Sequence, residues 1–419
     1  MTRTLPPWAQ ELLDAHPDAP RPSPDDPMPA WLESELARVP LWARIRQTSE
    51  IRQRHPFLLI EDLRTQPELM RQVLDLRSEL AALAHRLIDQ GIRHLVFTGC
   101  GSAFHSSQFG SFICRKWTGW TTESHDSLEF THHWTEGHET TAVVVQSATG
   151  STAETIDAAR HASAHGILTV ALTNTAGSAL EALCDETICF PTGQRCGPAV
   201  SVLTTRLMML YVLALEVGVA TGALGVHEAD ELGTAISSLP DAAAQFLREE
   251  DLNVSQIANA LNDQRALLVV GGGPNWFSAR EGALKVEEES SLLCKAYRPA
   301  GYLHNAIPVL SDTVGTVVIA PPGKAYGRSH DVVRTARAAR SPTLAVVVEG
   351  DDAIAPDASF VIAVPGPIGE LLMPPLAAVA FQLLGYYLGA ERGINPDTLR
   401  SDDLDHARAW LTAFPFGSQ

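Results

Sequence analysis

An apolar run ending in glycines occurs twice in this chain, 172 residues apart: His94-Leu-Val-Phe-Thr-Gly-Cys-Gly101 and Ala266-Leu-Leu-Val-Val-Gly-Gly-Gly273. The segments downstream of the two runs repeat as well. A helical pattern comes next, at 106–117 and 278–293. Further short apolar runs then pair up, at 141–146 with 316–320, 168–172 with 344–348, and 187–190 with 360–364. Each copy closes on a long apolar helix, at 200–217 and 371–388. Runs this short are strands, and they are apolar on both faces, so they predict a parallel sheet covered by helices. Right-handed crossovers make each copy an α/β, doubly wound, flavodoxin-like three-layer unit of about five strands. The expected organisation is an arm with short helices over 1–60, a first unit over 61–235, a second over 236–400 and a tail over 401–419. Apolar residues at helical spacing over 60–90 predict a long helix leading into the first core.

Composition narrows the partners. A formal net charge of −18 over 419 residues argues against nucleic acid or an anionic membrane, because both need a Lys/Arg excess. It leaves room for a small phosphorylated ligand held by backbone amides. The six cysteines form no Cys-x-x-Cys pair, which points to a reduced, cytoplasmic chain with neither a disulfide framework nor a zinc site. The first twenty residues carry acids and prolines where a signal peptide would be apolar. The most apolar stretch, 202–220, contains Arg206 and Glu216 and reads as a buried core helix.

In open α/β sheets, ligands bind at the carboxyl ends of the strands, where the strand order switches. The loop after the first strand, Gly99-Cys-Gly-Ser-Ala-Phe-His105, is not a dinucleotide fingerprint. It suits either a tight turn with Ser102 as helix cap or a backbone approach to a ligand at Gly101 and Ser102. The loop after the next paired run, Ser147-Ala-Thr-Gly-Ser-Thr152, is more telling. Ser147, Thr149, Ser151 and Thr152 supply four hydroxyls just before a helix over 156–164. Hydroxyls and helix amides together make a phosphate cradle that needs no cation. His132, His133 and His138 match no metal-ligand spacing and read as a solvated loop; no metal or other cofactor is expected. Cys100 reads as a small buried residue beside the ligand.

These motifs resemble the sugar isomerase (SIS) domain family, in particular the tandem isomerase portion of glucosamine-6-phosphate synthase. The family's Cys-Gly-Thr-Ser loop is similar to Cys100-Gly-Ser-Ala103, and its Ser-Glu-Phe run to Ser127-Leu-Glu-Phe130. Its Ser-x-Ser-Gly-x-Thr loop resembles Ser147–Thr152, and its Asn-x-x-Gly-Ser-x-Leu turn resembles Asn174–Leu180. Its Glu-Gly-Ala-Leu-Lys-x-x-Glu helix matches Glu281–Glu288. The resemblance covers roughly residues 60–400. It implies a sugar phosphate as ligand and a homodimer that shares its sites.

Aldose–ketose isomerisation moves a proton between C1 and C2, so it needs a base over those carbons and a group that opens the ring. The resemblance places the base at Glu288, and charge repulsion from Glu287 and Glu289 would raise its pKa. It places the ring-opening histidine at His304, or Asn305 if the loop is matched on its glycine and leucine. The family's Schiff-base lysine lies in the tail, yet no lysine follows Lys324, so an imine would have to use Lys285. No cysteine precedes Cys100, so glutamine-dependent amination is not expected. The resulting expectation is a phosphosugar isomerase or an amino-sugar-phosphate deaminase/isomerase acting on a hexose or hexosamine 6-phosphate. A fructosamine-6-phosphate deglycase and a non-catalytic phosphosugar sensor stand as alternatives.

Overall fold

The computed structural model describes residue 52 and residues 54–134, 139–192 and 196–414. Most of the arm expected over 1–60 lies outside the described residues, as does His138. In the first half, α1 (Leu58–Val73), a 3-10 turn and α2 (Arg77–Asp89) replace the single long helix expected over 60–90. They lead into β1 (His94–Gly99), α3 (Ser102–Trp117), β2 (Thr121–Asp126), α4 (Ser127–His133), β3 (Thr141–Ser147) and α5 (Ala153–Ala164). After these come β4 (Leu168–Thr173), α6 (Ala179–Leu183), β5 (Glu186–Cys189) and α7 (Val200–Thr221). Two connecting helices, α8 (Val226–Glu249) and α9 (Asp251–Leu261), open the second half. It continues through β6 (Ala266–Gly271), α10 (Asn275–Ser290), β7 (Cys294–Tyr297), α11 (Pro299–Asn305), β8 (Val314–Ile319) and α12 (Tyr326–Ala338). It ends with β9 (Thr343–Val348), β10 (Phe360–Val364), α13 (Met373–Glu391) and α14 (Leu404–Ala413).

The two sheets have the same topology. The first runs β2-β1-β3-β4-β5 and the second β7-β6-β8-β9-β10, with every pairing parallel. The repeat is thus two doubly wound units. In each, the strand order reverses beside the first strand, so the crevice opens where the loops after β1 and β3 emerge. Four strands per unit announce themselves as apolar runs. The fifth does not: β2 reads Thr-Thr-Glu-Ser-His-Asp and is half exposed along its length, because it is an edge. Short β7 is the matching edge in the second unit.

One apolar core serves both units. It runs from Phe57 in front of α1 through Leu210 in α7 and Val269 in β6 to Leu388 in α13. Smaller clusters cover the outer faces of each sheet, around Phe130 and Val145 in one and Tyr302 and Val333 in the other. The inner helix layers of the two units are therefore fused. That is why α7 and α13 are apolar all round. Helix α7 is long and apolar enough to cross a membrane, but 89% of its most apolar window is buried inside the protein. All six cysteines are free.

Candidate functional site

The hydroxyl loop after β3 is a closed, self-bonded turn. Ser147 Oγ accepts from the Gly150 amide at 3.0 Å and lies 3.2 Å from Thr152 Oγ1. Thr149 Oγ1 accepts from the Ser151 hydroxyl at 2.8 Å. Ser147 and Ser151 are buried, whereas Thr149 is exposed at the rim. Gly150 has φ +69°, and a Cβ there would sit 2.2 Å from Ser178 Oγ, so only glycine fits. The Asn174–Leu180 turn braces the loop from behind: the Asn174 amide donates to Ala148 O at 3.1 Å, and the Leu180 amide to Gly150 O at 2.8 Å. Helix α5 starts at Ala153, one residue past the hydroxyls, which leaves first-turn amides beside the loop.

The loop after β1 behaves differently from either expectation. Ser102 is the first residue of α3 and caps nothing. Its hydroxyl donates instead to Glu281 Oε1 of the second unit at 2.9 Å. His105 Nδ1 lies 2.7 Å from the other oxygen, Glu281 Oε2. As a phosphate ligand Ser102 is therefore already engaged, while Gly101 in front of it turns at φ +54° and stays exposed. Cys100 sits beside Thr155 Oγ1 at 3.9 Å, and burial pushes its thiol upward, which suits a packing residue and not a nucleophile.

Helix α10 carries the charged part of the site. Glu281, Lys285 and Glu288 share one face, spaced i, i+4, i+7. Lys285 Nζ lies 2.5 Å from Glu288 Oε2 and 3.6 Å from Glu281 Oε1. Burial alone would neutralise Glu281, but the Lys285 ammonium, His105 and Ser102 outweigh it and hold the carboxyl at about 2. Burial likewise pulls Lys285 down, and Glu288 and Glu281 more than reverse this, so the ammonium is charged. The ring of Phe277 packs on Phe112, Arg280 donates to Gln108, and Glu281 meets His105 and Ser102. Helix α10 thus runs antiparallel to α3, with Glu281 against the first turn of α3.

The three carboxylates of the acidic run 287–289 point to three different surroundings. Glu287 Oε1 accepts from the Cys294 amide at 2.9 Å, Glu288 faces Lys285, and Glu289 is buried in the α10–α13 interface with both oxygens unpartnered. His304 and Asn305 are exposed on α11, and neither hydrogen-bonds to the α10 set. His132 and His133 end helix α4 and are not part of a loop. Sequence reasoning passed over Glu281 and His105, whose partners lie 176 residues apart, and also Arg206 and Gln146 beneath the first mouth. The Arg206 guanidinium is fully buried; burial draws it down to about 10, opposed by Glu281.

Two such units, joined across Glu281 with a hydroxyl loop at one mouth, make a tandem, doubly wound α/β protein. Residues 88–216 match the SIS domain family model, and the chain carries an SIS domain there. It is 28% identical over 375 residues to a glutamine--fructose-6-phosphate aminotransferase [isomerizing] of Gloeobacter violaceus, covering 86% of this chain and 61% of that protein. A Pyrococcus horikoshii protein of the same name is 26% identical over 309 residues, covering 73% of this chain and 50% of that one. The chain thus spans between half and about three-fifths of these relatives. Among solved structures, the C-terminal domain of glucosamine-fructose-6-phosphate aminotransferase from Francisella tularensis superimposes with a TM-score of 0.75 at 17% identity, over 84% of this chain and 99% of that one. Tagatose-6-phosphate ketose/aldose isomerase from Escherichia coli gives 0.68 at 17%, over 81% and 94%. At these identities the likeness is one of fold.

Proposed function

We propose that the chain binds a hexose or hexosamine 6-phosphate in the first unit and shifts a proton between its C1 and C2, as an isomerase or an amino-sugar-phosphate deaminase. The observation that carries this reading is the polar chain Ser102–Glu281–Lys285–Glu288, buried at Glu281 and Lys285, which ties the second unit to the mouth of the first. In the proposal the phosphoryl group sits on the 147–152 loop and the first turn of α5. Glu288 takes the proton, and the neighbouring Lys285 ammonium stabilises the negative oxygen of the enediolate. The relatives named for fructose-6-phosphate amination and the fold shared with phosphosugar isomerases support the substrate class. His304, exposed on α11, would act on the site of a partner subunit in a homodimer.

Glu288→Gln tests the reading. Against a panel of fructose, glucose and glucosamine 6-phosphates, the native chain should interconvert isomers or release ammonia. The variant should lose at least about a hundredfold in kcat while its affinity stays within about threefold. Equal turnover by the variant would remove Glu288 from the chemistry. One observation favours a second reading, a phosphosugar sensor: among the described residues, exposed His304 hydrogen-bonds to none of the other candidate residues. Binding without any turnover by the native chain would select it. Release of an amino acid from a fructosamine 6-phosphate would identify a deglycase instead.

A further inference from the structure

Arg206 is among the largest fully buried side chains of the described residues, and its charge is poorly matched. It projects from α7 beneath the mouth of the first sheet. One terminal nitrogen is 3.4 Å from Ser106 Oγ and the other 3.4 Å from Asn174 Oδ1, both long contacts to neutral oxygens. Its Nε has no partner. It forms no ion pair among the described residues. The carboxylate acting on it, Glu281, is already taken up by Ser102, His105 and Lys285. A buried cation in this condition is costly unless an anion completes it.

The surroundings indicate where that anion goes. Ser106 Oγ donates to Gln146 Oε1 at 2.7 Å, and Gln146 immediately precedes Ser147 of the hydroxyl loop. The Nε2 of Gln146 is also buried and unpartnered. Asn174 is the residue whose amide braces Ala148 in the same loop. Both residues that touch Arg206 are thus one step from the 147–152 turn. We infer that Arg206 is the counter-charge of the phosphoryl group: a positioning residue that acts through Ser106, Gln146 and Asn174 and makes the first mouth selective for a dianion over a monoanion or a neutral sugar. The inference rests on the proposed phosphosugar site and adds to it a cation that the hydroxyl loop itself lacks.

The test uses the full chain and calorimetric titration. The ligands are fructose, glucose and glucosamine 6-phosphates, the 6-sulfate of the sugar that binds best, the free sugar, and inorganic phosphate. A hexose 6-sulfate keeps the shape but carries one charge. Arg206→Gln should cut the preference for phosphate over sulfate by about tenfold or more, the effect of one charge at short range in a partly buried site. Arg206→Lys should keep that preference within about threefold. A purely structural role would weaken all ligands alike and leave the ratio untouched, which would overturn the inference. So would loss of fold, seen by circular dichroism, in both variants. Failure of the native chain to bind any of these phosphates would overturn the phosphosugar reading itself; binding with an unchanged ratio in Arg206→Gln would remove only Arg206.

Discussion

Two glutamates eight residues apart on α10 show how neighbours decide the state of a buried acid. Glu281 and Glu289 are both buried, and burial pushes both toward the neutral form. Glu281 gains a lysine, a histidine and a hydroxyl, and is held low. Glu289 gains no hydrogen bond. Burial raises it well above the usual carboxylate range, Lys285 counters only in part, and Glu288, Glu281 and Asp397 push it further up. It fits only because α13 offers Gly385, where a Cβ would lie 2.4 Å from Glu289 Oε2. The linkage has a definite sign. Below the ordinary glutamate pKa, near 4.5, Glu289 is protonated in both folded and unfolded chains and costs nothing. Above it the unfolded chain ionises first, so stability falls as pH rises toward the folded value. Glu289→Gln is neutral at every pH. Urea unfolding should show the variant more stable than the native chain at pH 8, by about 1–3 kcal/mol, with the two converging near pH 4. Parallel curves would mean that Glu289 is ionised in the fold.

At the scale of elements, the two units share a topology but not a mouth. Where the first has Ser147–Thr152, the second has Pro321-Pro-Gly-Lys324 after β8 and no hydroxyl. Its place is filled from within. Glu370 Oε2 accepts from the Lys324 amide at 2.8 Å, and its own amide donates to Pro322 O at 3.0 Å. A Cβ on Gly323 would come within 2.3 Å of that carboxylate. The Lys324 amide, which would face a phosphate there, thus holds an internal carboxylate. The expected calorimetric stoichiometry is one sugar phosphate per chain; a value of two would show that the second mouth also opens. The hydroxyl loop was legible because its chemistry is local, a run of Ser and Thr before a helix. The role of Ser102 was not, because its hydroxyl bonds to Glu281, 179 residues away. Strand β2 escaped notice because an edge strand exposed on its free side carries no apolar run.

For the whole molecule, the shared core has a thermodynamic consequence. Helix α10 packs along α13, and α7 touches α3, α1, α2 and α13, so neither unit can shed its inner helices without exposing the other. The chain should unfold in a single calorimetric transition with equal calorimetric and van't Hoff enthalpies. Two resolved transitions would show that the units are independent despite the common core. A sequence read as two successive repeats implies two separate cores, since it lists each helix with its own unit. It does not say that the inner layers of both units are one layer.

The four apolar strands of each unit and their order, the twofold repeat, the strand-end location of the hydroxyl loop and the helix that carries Lys285 and Glu288 all come from local patterns: apolar periodicity, glycines at strand ends and hydroxyls before a helix. Tertiary structure alone decided which charges meet. Glu281 engages Ser102 and His105, Glu289 is left without a hydrogen bond in the core, Arg206 lies beneath the first mouth, and Glu370 closes the second. The reason is physical. Periodicity reports which face of an element avoids water, whereas the state of a buried charge depends on the few polar atoms within hydrogen-bonding reach, and here those come from the other half of the chain or from a distant loop.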